Sequence, residues 1–417
     1  MKIHNLEIGK IYNCQICGSE KLLSVINFGN TPPCDSLLSK DQLNQPEISY
    51  PLHLVRCKDC DLVQINYVVD PKILFHKTYP YRSGITKSLA DNLINGAHNF
   101  IDKFNITPKS LIIDIGSNDG TFLKGFKDKN MRVLGIEPTD ISKIANKDGI
   151  ETIQEFFNKK ISQEIKEKYG SASIVTAANM FAHVNNLGEL INGVENLLED
   201  DGYFITESHY ILDILNTLQF DSIYHEHLKY YSLKNLIQLF NYYDFTVIDA
   251  EKITNYGGSI RCYAQKGKNR NQSKRLQDLL NEETKKQLFS NNTWEKFSYK
   301  VLKQRKIFRN LISKLLEQNK TICGIGSPGR SSTLLNFYGL SPYDIQYIAE
   351  QSSCLKLGLF IPGQKIPIVD EKIIFEDPPD YAIMLSWHYA DQIINNLRQK
   401  GLKTKIIVPL PTIKIIN

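Results

Sequence analysis

At 417 residues the chain exceeds what one ordinary core organises, and about 150 residues per domain suggests two or three domains. Hydrophobic residues at 42% and charged residues at 23% exclude a disordered or fibrous chain. The 50 Lys+Arg against 45 Asp+Glu leave a net +5, too mild for a nucleic-acid-binding arm, and no apolar run approaches the ~20 residues that cross a bilayer. The opening MKIHNLEIGKIYNC carries charged and polar residues where a signal peptide needs an apolar stretch, which predicts a cytoplasmic protein without membrane contact.

Four of the eight cysteines form two C-x-x-C pairs, Cys14/Cys17 and Cys57/Cys60. In a reducing compartment such knuckles read as a metal site, because each turn aims two thiolates at one ion and two turns complete a tetrahedral set suited to Zn²⁺. Four protein ligands leave no open position, so the site is structural. The 39 residues between the pairs exceed ordinary zinc-ribbon spacing. Residues 1–70 form this module, with FGNTPPCDSLL as a loop within it, and it serves as a lid or brace. Cys34, Cys262, Cys323 and Cys354 stand alone and read as small core residues.

Residues 71–265 are predicted to be an α/β domain. Leu111-Ile112-Ile113-Asp114-Ile115 is a buried parallel strand by type and runs through Gly116-Ser117-Asn118-Asp119-Gly120 into helix-like TFLKGFKD. Strand, glycine loop and helix place a ligand at a helix N-terminus. The spacing D-x-G-x-x-x-G differs from the dinucleotide fingerprint. The next strand, MRVLGIE, ends in Glu137, 23 residues beyond Asp114, placed to accept from two ribose hydroxyls. SASIVTAAN and GYFITES continue the sheet, and DFTVIDAEKIT with GGSIRCYAQK closes it as an antiparallel pair. Together DIGSNDG, Glu137, Asn179 and the late hairpin resemble class I S-adenosylmethionine methyltransferases. That likeness implies Asp114, Gly116, Asn118, Gly120, Glu137 and Asn179 as the methyl-donor contacts.

Between the fifth strand and the hairpin lies Tyr224-His225-Glu226-His227. His209, His225 and His227 fall within 19 residues. Tyrosine, histidine and glutamate packed together form a proton-transfer set, with histidine as base, Glu226 orienting it and tyrosine as donor. An inert polar cluster and a second metal site are the alternatives, although H-E-H lacks the H-E-x-x-H spacing. His183, after the fourth strand, falls at the end of the sheet that faces the donor. Methylating a carbon beside a ketone needs a base and a stabilised enolate oxygen, a heavier demand than O-methylation and one this segment suits.

Residues 266–417 open with helix-forming stretches, the second placing Val301, Ile307, Leu311 and Leu315 on one face. Thr321-Ile322-Cys323 is a short strand, followed by Gly324-Ile325-Gly326-Ser327-Pro328-Gly329-Arg330, with Glu350 about 20 residues on. Alone this loop argues for an NAD-dependent oxidoreductase. YAIMLSW and KTKIIVPLP suit a parallel sheet, with Trp387-His388 at the first strand's end.

The two C-x-x-C pairs, DIGSNDG, FAH, IYHEHLKYYS, YGGSIR, TLLNFYG and IPGQKIPI, in this order, resemble the sugar C-methyltransferases of deoxysugar pathways. The resemblance spans the whole chain. It implies methyl transfer from S-adenosylmethionine to carbon 3 of a nucleotide-activated keto-deoxysugar through an enediolate; a sugar O-methyltransferase of the same fold is the nearest alternative. It further implies His227 as general base with Glu226 and Tyr224 beside it, His183 stabilising the enolate, and Tyr79 or Tyr81 closing over the sugar. Cys14, Cys17, Cys57 and Cys60 would bind zinc. The C-terminal Rossmann-like domain would hold the nucleotide-diphosphate sugar through Ser327, Arg330 and Lys356, with His225 also at the substrate. The family form G-x-G-A-P-A-K-G is altered here, Gly329-Arg330 replacing Ala-Lys. No nucleic-acid partner is expected, and the chain is expected to be a monomer or weak homo-oligomer.

Overall fold

The structure, a computed structural model, describes residues 6–77, 79, 82–84 and 87–417. Near the N-terminus, β1 (Leu22–Thr31), β2 (Tyr50–Cys57) and β3 (Val63–Ile65) form an antiparallel sheet. The long interval between the cysteine pairs is this β1–β2 hairpin. Its fourth strand comes from far along the chain: Lys229–Tyr230 pairs with Gln64 and Val63. The module is therefore a brace built into the rest of the molecule rather than a separate lid.

The central sheet contains β4 (Leu111–Ile115), β5 (Arg132–Ile136), β6 (Thr152–Ile153), β7 (Ala172–Ala178), β8 (Leu198–His209), β9 (Phe245–Ile253) and β10 (Ser259–Lys266). Their spatial order is β9-β10-β8-β7-β4-β5-β6. The first five in chain order run parallel, and β10 enters antiparallel between β8 and β9. Every residue of β4 is buried, as expected for a strand with a parallel neighbour on each side and helices over both faces. Helices α1 (Lys87–Phe104) and α2 (Thr121–Asp128) pack together on one face.

Two helices, α3 (Lys274–Lys285) and α4 (Asn291–Glu317), lead to the second α/β unit. The predicted stripe on α4 is corrected at Ile307, which is 49% exposed; Trp294, Phe297, Val301, Phe308, Ile312 and Leu315 are the buried residues. Aromatic Phe308 lies over Tyr338 with ring centroids 4.8 Å apart and so claims the inward face. The second sheet has the order β13-β12-β11-β14-β15-β16, from β11 (Ile322–Ile325), β12 (Ile348–Glu350), β13 (Ile368–Asp370), β14 (Tyr381–Met384), β15 (Lys405–Val408) and β16 (Lys414–Ile416). All its neighbours are parallel except β16. Helix α5 (Gly329–Tyr338) follows β11. The N-terminal module also touches this unit: Phe28 meets Phe337 at 5.0 Å between ring centroids, and Leu38 and Phe360 exchange backbone hydrogen bonds. No described helix is long and apolar enough to cross a membrane.

Candidate active site and metal centre

The two knuckles share one local geometry. Gly18 N–H donates to Cys14 O and Asp61 N–H to Cys57 O, and both Gly18 and Asp61 have positive φ, so each turn curls its sulfurs to the same side. Cys14 and Cys60 sulfurs lie 3.4 Å apart, Cys17 and Cys57 3.5 Å, and all four fall within 4.8 Å of one another. A tetrahedron with Zn–S bonds of about 2.3 Å has edges of roughly 3.8 Å, so the set fits Zn²⁺.

A cavity of about 1020 Å³ opens between the C-terminal ends of the two parallel sheets. On its central-domain wall, Gly116 and Ser117 N–H both donate to Ile136 O, pinning the first glycine loop to β5. Gly116 has φ +74°, and a Cβ there would fall 2.9 Å from Met180. Asp114 accepts from Thr176 Oγ1 at 2.6 Å, and burial raises its carboxyl to about 7. Glu137 accepts from Asn118 N–H at 3.1 Å and from Thr139 N–H and Oγ1–H at 2.9 and 2.6 Å. Asn179 adopts φ +57°, and its Oδ1, like Ser117 Oγ, is buried with no hydrogen-bond partner among the described residues. These features suit a nucleoside carrying a charged tail. Gly120 is corrected: it does not line the cavity, but caps α2 at φ +75°, where a Cβ would fall 3.0 Å from Ile150 and 3.2 Å from Ala145.

On the facing wall, residues 224–227 make a tight turn closed by His227 N–H to Tyr224 O, 3.0 Å. His227 Nδ1 lies 2.9 Å from Ser222 O. A carbonyl only accepts, so the Nδ1 carries the proton and Nε2 offers its lone pair to the cavity. His183 and His209 rings lie 4.9 and 4.7 Å from the His227 ring, and Tyr224 lies 4.1 Å away. His183 stacks on Phe75, and its buried Nε2 has no partner among the described residues. Burial lowers His227 to about 4 and His183 well below its usual value, so both are neutral near pH 7.

Glu226 does not orient His227, contrary to expectation; Ser222 O does. Glu226 instead accepts from Tyr79 O–H at 2.9 Å and from the Cys34 thiol at 3.4 Å, and burial followed by the nearby Asp35 charge raises it to about 8. His225 is corrected as well: the turn sends it away from the cavity to Tyr50 O at 3.2 Å. Tyr81 lies outside the described residues; Tyr79 lines the cavity.

At the second glycine loop, Ser327 N–H donates to Glu350 at 2.6 Å, and Ser327 Oγ is buried without a partner among the described residues. Lys356 donates to Asp35 at 2.8 Å and to Ser327 O at 3.0 Å. The ammonium already present beside Asp35 disfavours a cation at the Cys34, Asp35 and Glu226 trio, which otherwise lies close enough to ligate one. Arg330 departs from its expected role as a diphosphate ligand: its fork closes on Asp221, with both bonds 2.9 Å. Sequence reasoning missed Cys34, Asp35 and Asp221; Cys34 and Asp35 sit in an irregular loop with no spacing signal. Cys354 lines the cavity, while Cys262 and Cys323 are core residues as expected. Trp387 faces Asp221, and His388 lines the cavity.

Three family models match the chain: a zinc binding domain over residues 14–75, a methyltransferase domain over 90–250 and a C-methyltransferase C-terminal domain over 254–411. The chain is 31% identical over 413 residues to the C-methyltransferase NovU of Streptomyces niveus, an alignment covering 98% of this chain and 97% of that protein. Among solved structures, the magnesium protoporphyrin IX methyltransferase ChlM from Synechocystis PCC 6803 with bound SAM is 11% identical, covering 43% of this chain and 79% of that one with a TM-score of 0.33. The YcgJ protein of Bacillus subtilis is 14% identical over 42% of this chain and 99% of its own, with a TM-score of 0.32.

Proposed function

The chain belongs to the S-adenosylmethionine-dependent C-methyltransferase family, and from that premise we propose that it methylates a nucleotide-activated keto-deoxysugar on the carbon beside the ketone, through an enediolate. The oxidoreductase alternative is set aside, because the 324–329 loop falls inside the matched C-methyltransferase C-terminal domain. The O-methylation alternative gives way to the carbon chemistry of the full-length relative.

One observation carries the reading: His227 Nε2, the Tyr79–Glu226 pair and both glycine loops line a single cavity. S-adenosylmethionine supplies an electrophilic methyl group when bound, and Asp114, Gly116, Glu137 and Asn179 would hold it. His227 takes the proton from the carbon beside the ketone onto Nε2. A neutral imidazole held near 4 is a weak base, so the C–H must be acidified by hydrogen bonds to the keto oxygen. At neutral pH, Glu226 is a carboxylic acid. In that form the bond seen from Tyr79 O–H to Glu226 Oε2 at 2.9 Å would reverse, the acid proton passing to the Tyr79 oxygen and the phenol O–H turning toward the substrate's keto oxygen. His183 Nε2, without a partner among the described residues, would add a second donor in its Nε2–H tautomer. The electron pair left on that carbon would form the new C–CH3 bond as the donor's S–CH3 bond breaks, the sulfonium leaving as the neutral thioether. Ser327, in the second glycine loop, and Glu350, which accepts its N–H, would contact the nucleotide.

The test is isotope exchange. A keto-sugar nucleotide incubated in D₂O with the protein but without the methyl donor should gain deuterium beside the ketone, and His227→Gln should abolish the exchange. No exchange, together with a transferred methyl group located on oxygen by NMR, would refute the reading.

A further inference from the structure

We infer that Arg330 is a positioning residue: from the first turn of α5 it holds Ser222, and through the Ser222 carbonyl it fixes the tautomer and aim of His227. The inference rests on the reading of His227 as the base.

The geometry is a chain of buried contacts. Arg330 is 5% exposed. Its Nε–H and Nη2–H donate to the two Asp221 oxygens, Nη2 also to Gln219 Oε1 at 2.9 Å and Ser222 Oγ at 2.6 Å, and Nη1 to Tyr256 O at 3.0 Å. With these acceptors the guanidinium has little capacity left for a phosphate. Asp221 is fully buried and receives a third donor, Trp387 Nε1–H at 2.7 Å, from the same C-terminal domain. The Trp387 ring lies 5.1 Å from the guanidinium carbon.

Asp221 and Ser222 form the short turn that leads into the 224–227 segment. Arg330 holds Ser222 by its hydroxyl, while the Ser222 carbonyl accepts the His227 Nδ1 proton. The planar fork restrains direction as well as distance, which an ammonium would not. Its positive charge also opposes protonation of His227 and keeps the imidazole in its proton-accepting form. Ser327, Pro328 and Gly329, the residues just before Arg330, line the cavity. A ligand seated on this loop therefore bears on the same helical turn that holds the base. In this arrangement the C-terminal domain both grips the substrate and sets the catalytic geometry in the central domain.

The test uses the full chain labelled with ¹⁵N in the histidine rings, the His227 signals being assigned by their loss in His227→Gln. The wild type should show the Nδ1–H tautomer at His227. Arg330→Lys and Ser222→Ala should each reduce that population, and Ser222→Ala spares the Arg330–Asp221 ion pair should the lysine variant misfold. In turnover, each variant should lower kcat about tenfold or more with KM within about twofold, and the double variant should lose less than the product of the two. A raised KM at unchanged kcat would make Arg330 a substrate ligand, and an unchanged tautomer in both variants would end the inference. The NMR readout needs no substrate, so failure of the sugar assignment would be distinguishable from failure of this one.

Discussion

Glu226→Gln separates the two protonation states on which the proposed chemistry turns. Burial and the Asp35 charge hold the Glu226 carboxyl near 8, so it is mostly protonated at pH 7 and mostly ionised at pH 9. The protonated acid donates to the Tyr79 oxygen and frees the phenol proton for the substrate; the carboxylate instead takes that proton for itself. Activity should therefore fall as pH rises through about 8. For a single group at that value the protonated fraction drops about tenfold between pH 7 and pH 9. His227, near 4, stays unprotonated across this window and contributes no opposing limb. A glutamine amide is a permanent neutral donor of similar shape. Glu226→Gln should retain activity at pH 7 within about tenfold and lose the alkaline fall, because nothing in that position titrates. The assay is methyl incorporation from labelled donor at saturating substrate between pH 6.5 and about 9.5, with donor binding followed in parallel to exclude unfolding. A glutamine variant that keeps the alkaline limb would assign that limb to another group, and one inactive throughout while still binding donor would show that an ionisable carboxyl is required; either result overturns the argument.

Three further outcomes follow from named contacts. Lys356→Met strands Asp35 in a buried site where its partner's side chain is only 10% exposed, which should cost about 3–5 kcal/mol in urea unfolding; adding Asp35→Asn should recover most of it, and a loss below about 1 kcal/mol would show that the pair is not structurally important. Gly116→Ala forces a side chain onto a left-handed residue, at about 1–2 kcal/mol, and drives its Cβ against Met180; calorimetry should show weakened donor binding, and unchanged affinity would remove the first glycine loop from the site. Stripping zinc with a chelator, followed by metal analysis, should abolish turnover and loosen the 229–230 pairing in hydrogen exchange, whereas full activity in metal-free protein would make the cysteine cluster irrelevant to catalysis.

Much of this architecture could be read from the chain because it rests on local patterns. The branched run Leu111–Ile113 marks a strand buried on both faces, Thr321-Ile322-Cys323 marks a shorter one, and the glycine loops that follow announce strand–loop–helix units. The paired C-x-x-C turns reveal their metal chemistry through spacing alone. What stayed hidden depends on contacts between distant segments. Asp35 meets Lys356 across 321 positions, and Arg330 meets Asp221 across 109, with no periodicity to record either pairing. Arg330 looked like a phosphate ligand because it begins a helix after a glycine loop; only the packed structure reveals an internal acid that consumes its donors. Glu226 and His227 are adjacent in sequence, which suggested that one orients the other, but the turn points them at different partners.

The position of the metal centre explains why a C-methyltransferase would carry zinc that performs no chemistry. Gln15, inside the first cysteine knuckle, accepts from nothing in that knuckle but reaches out with its Nε2–H to Leu228 O, the residue after His227, and to Ile65 O. From the second knuckle, Cys60 O accepts from Asn235 Nδ2 at 2.7 Å, and β3 immediately beyond it pairs with Lys229–Tyr230. Both knuckles thus grip the segment just C-terminal to the base, while Arg330 and Trp387 grip the segment just before it. The module alone is too small to hold such a frame by burial, and a tetrahedral metal supplies the missing rigidity. Clamping from both sides restricts the 223–228 loop without occupying the cavity, leaving His227 Nε2 open to the substrate. On this argument the zinc acts on the rate through backbone position, and its loss should reduce kcat before it weakens donor affinity, since the first glycine loop hangs from β4 and β5 rather than from the cysteine knuckles.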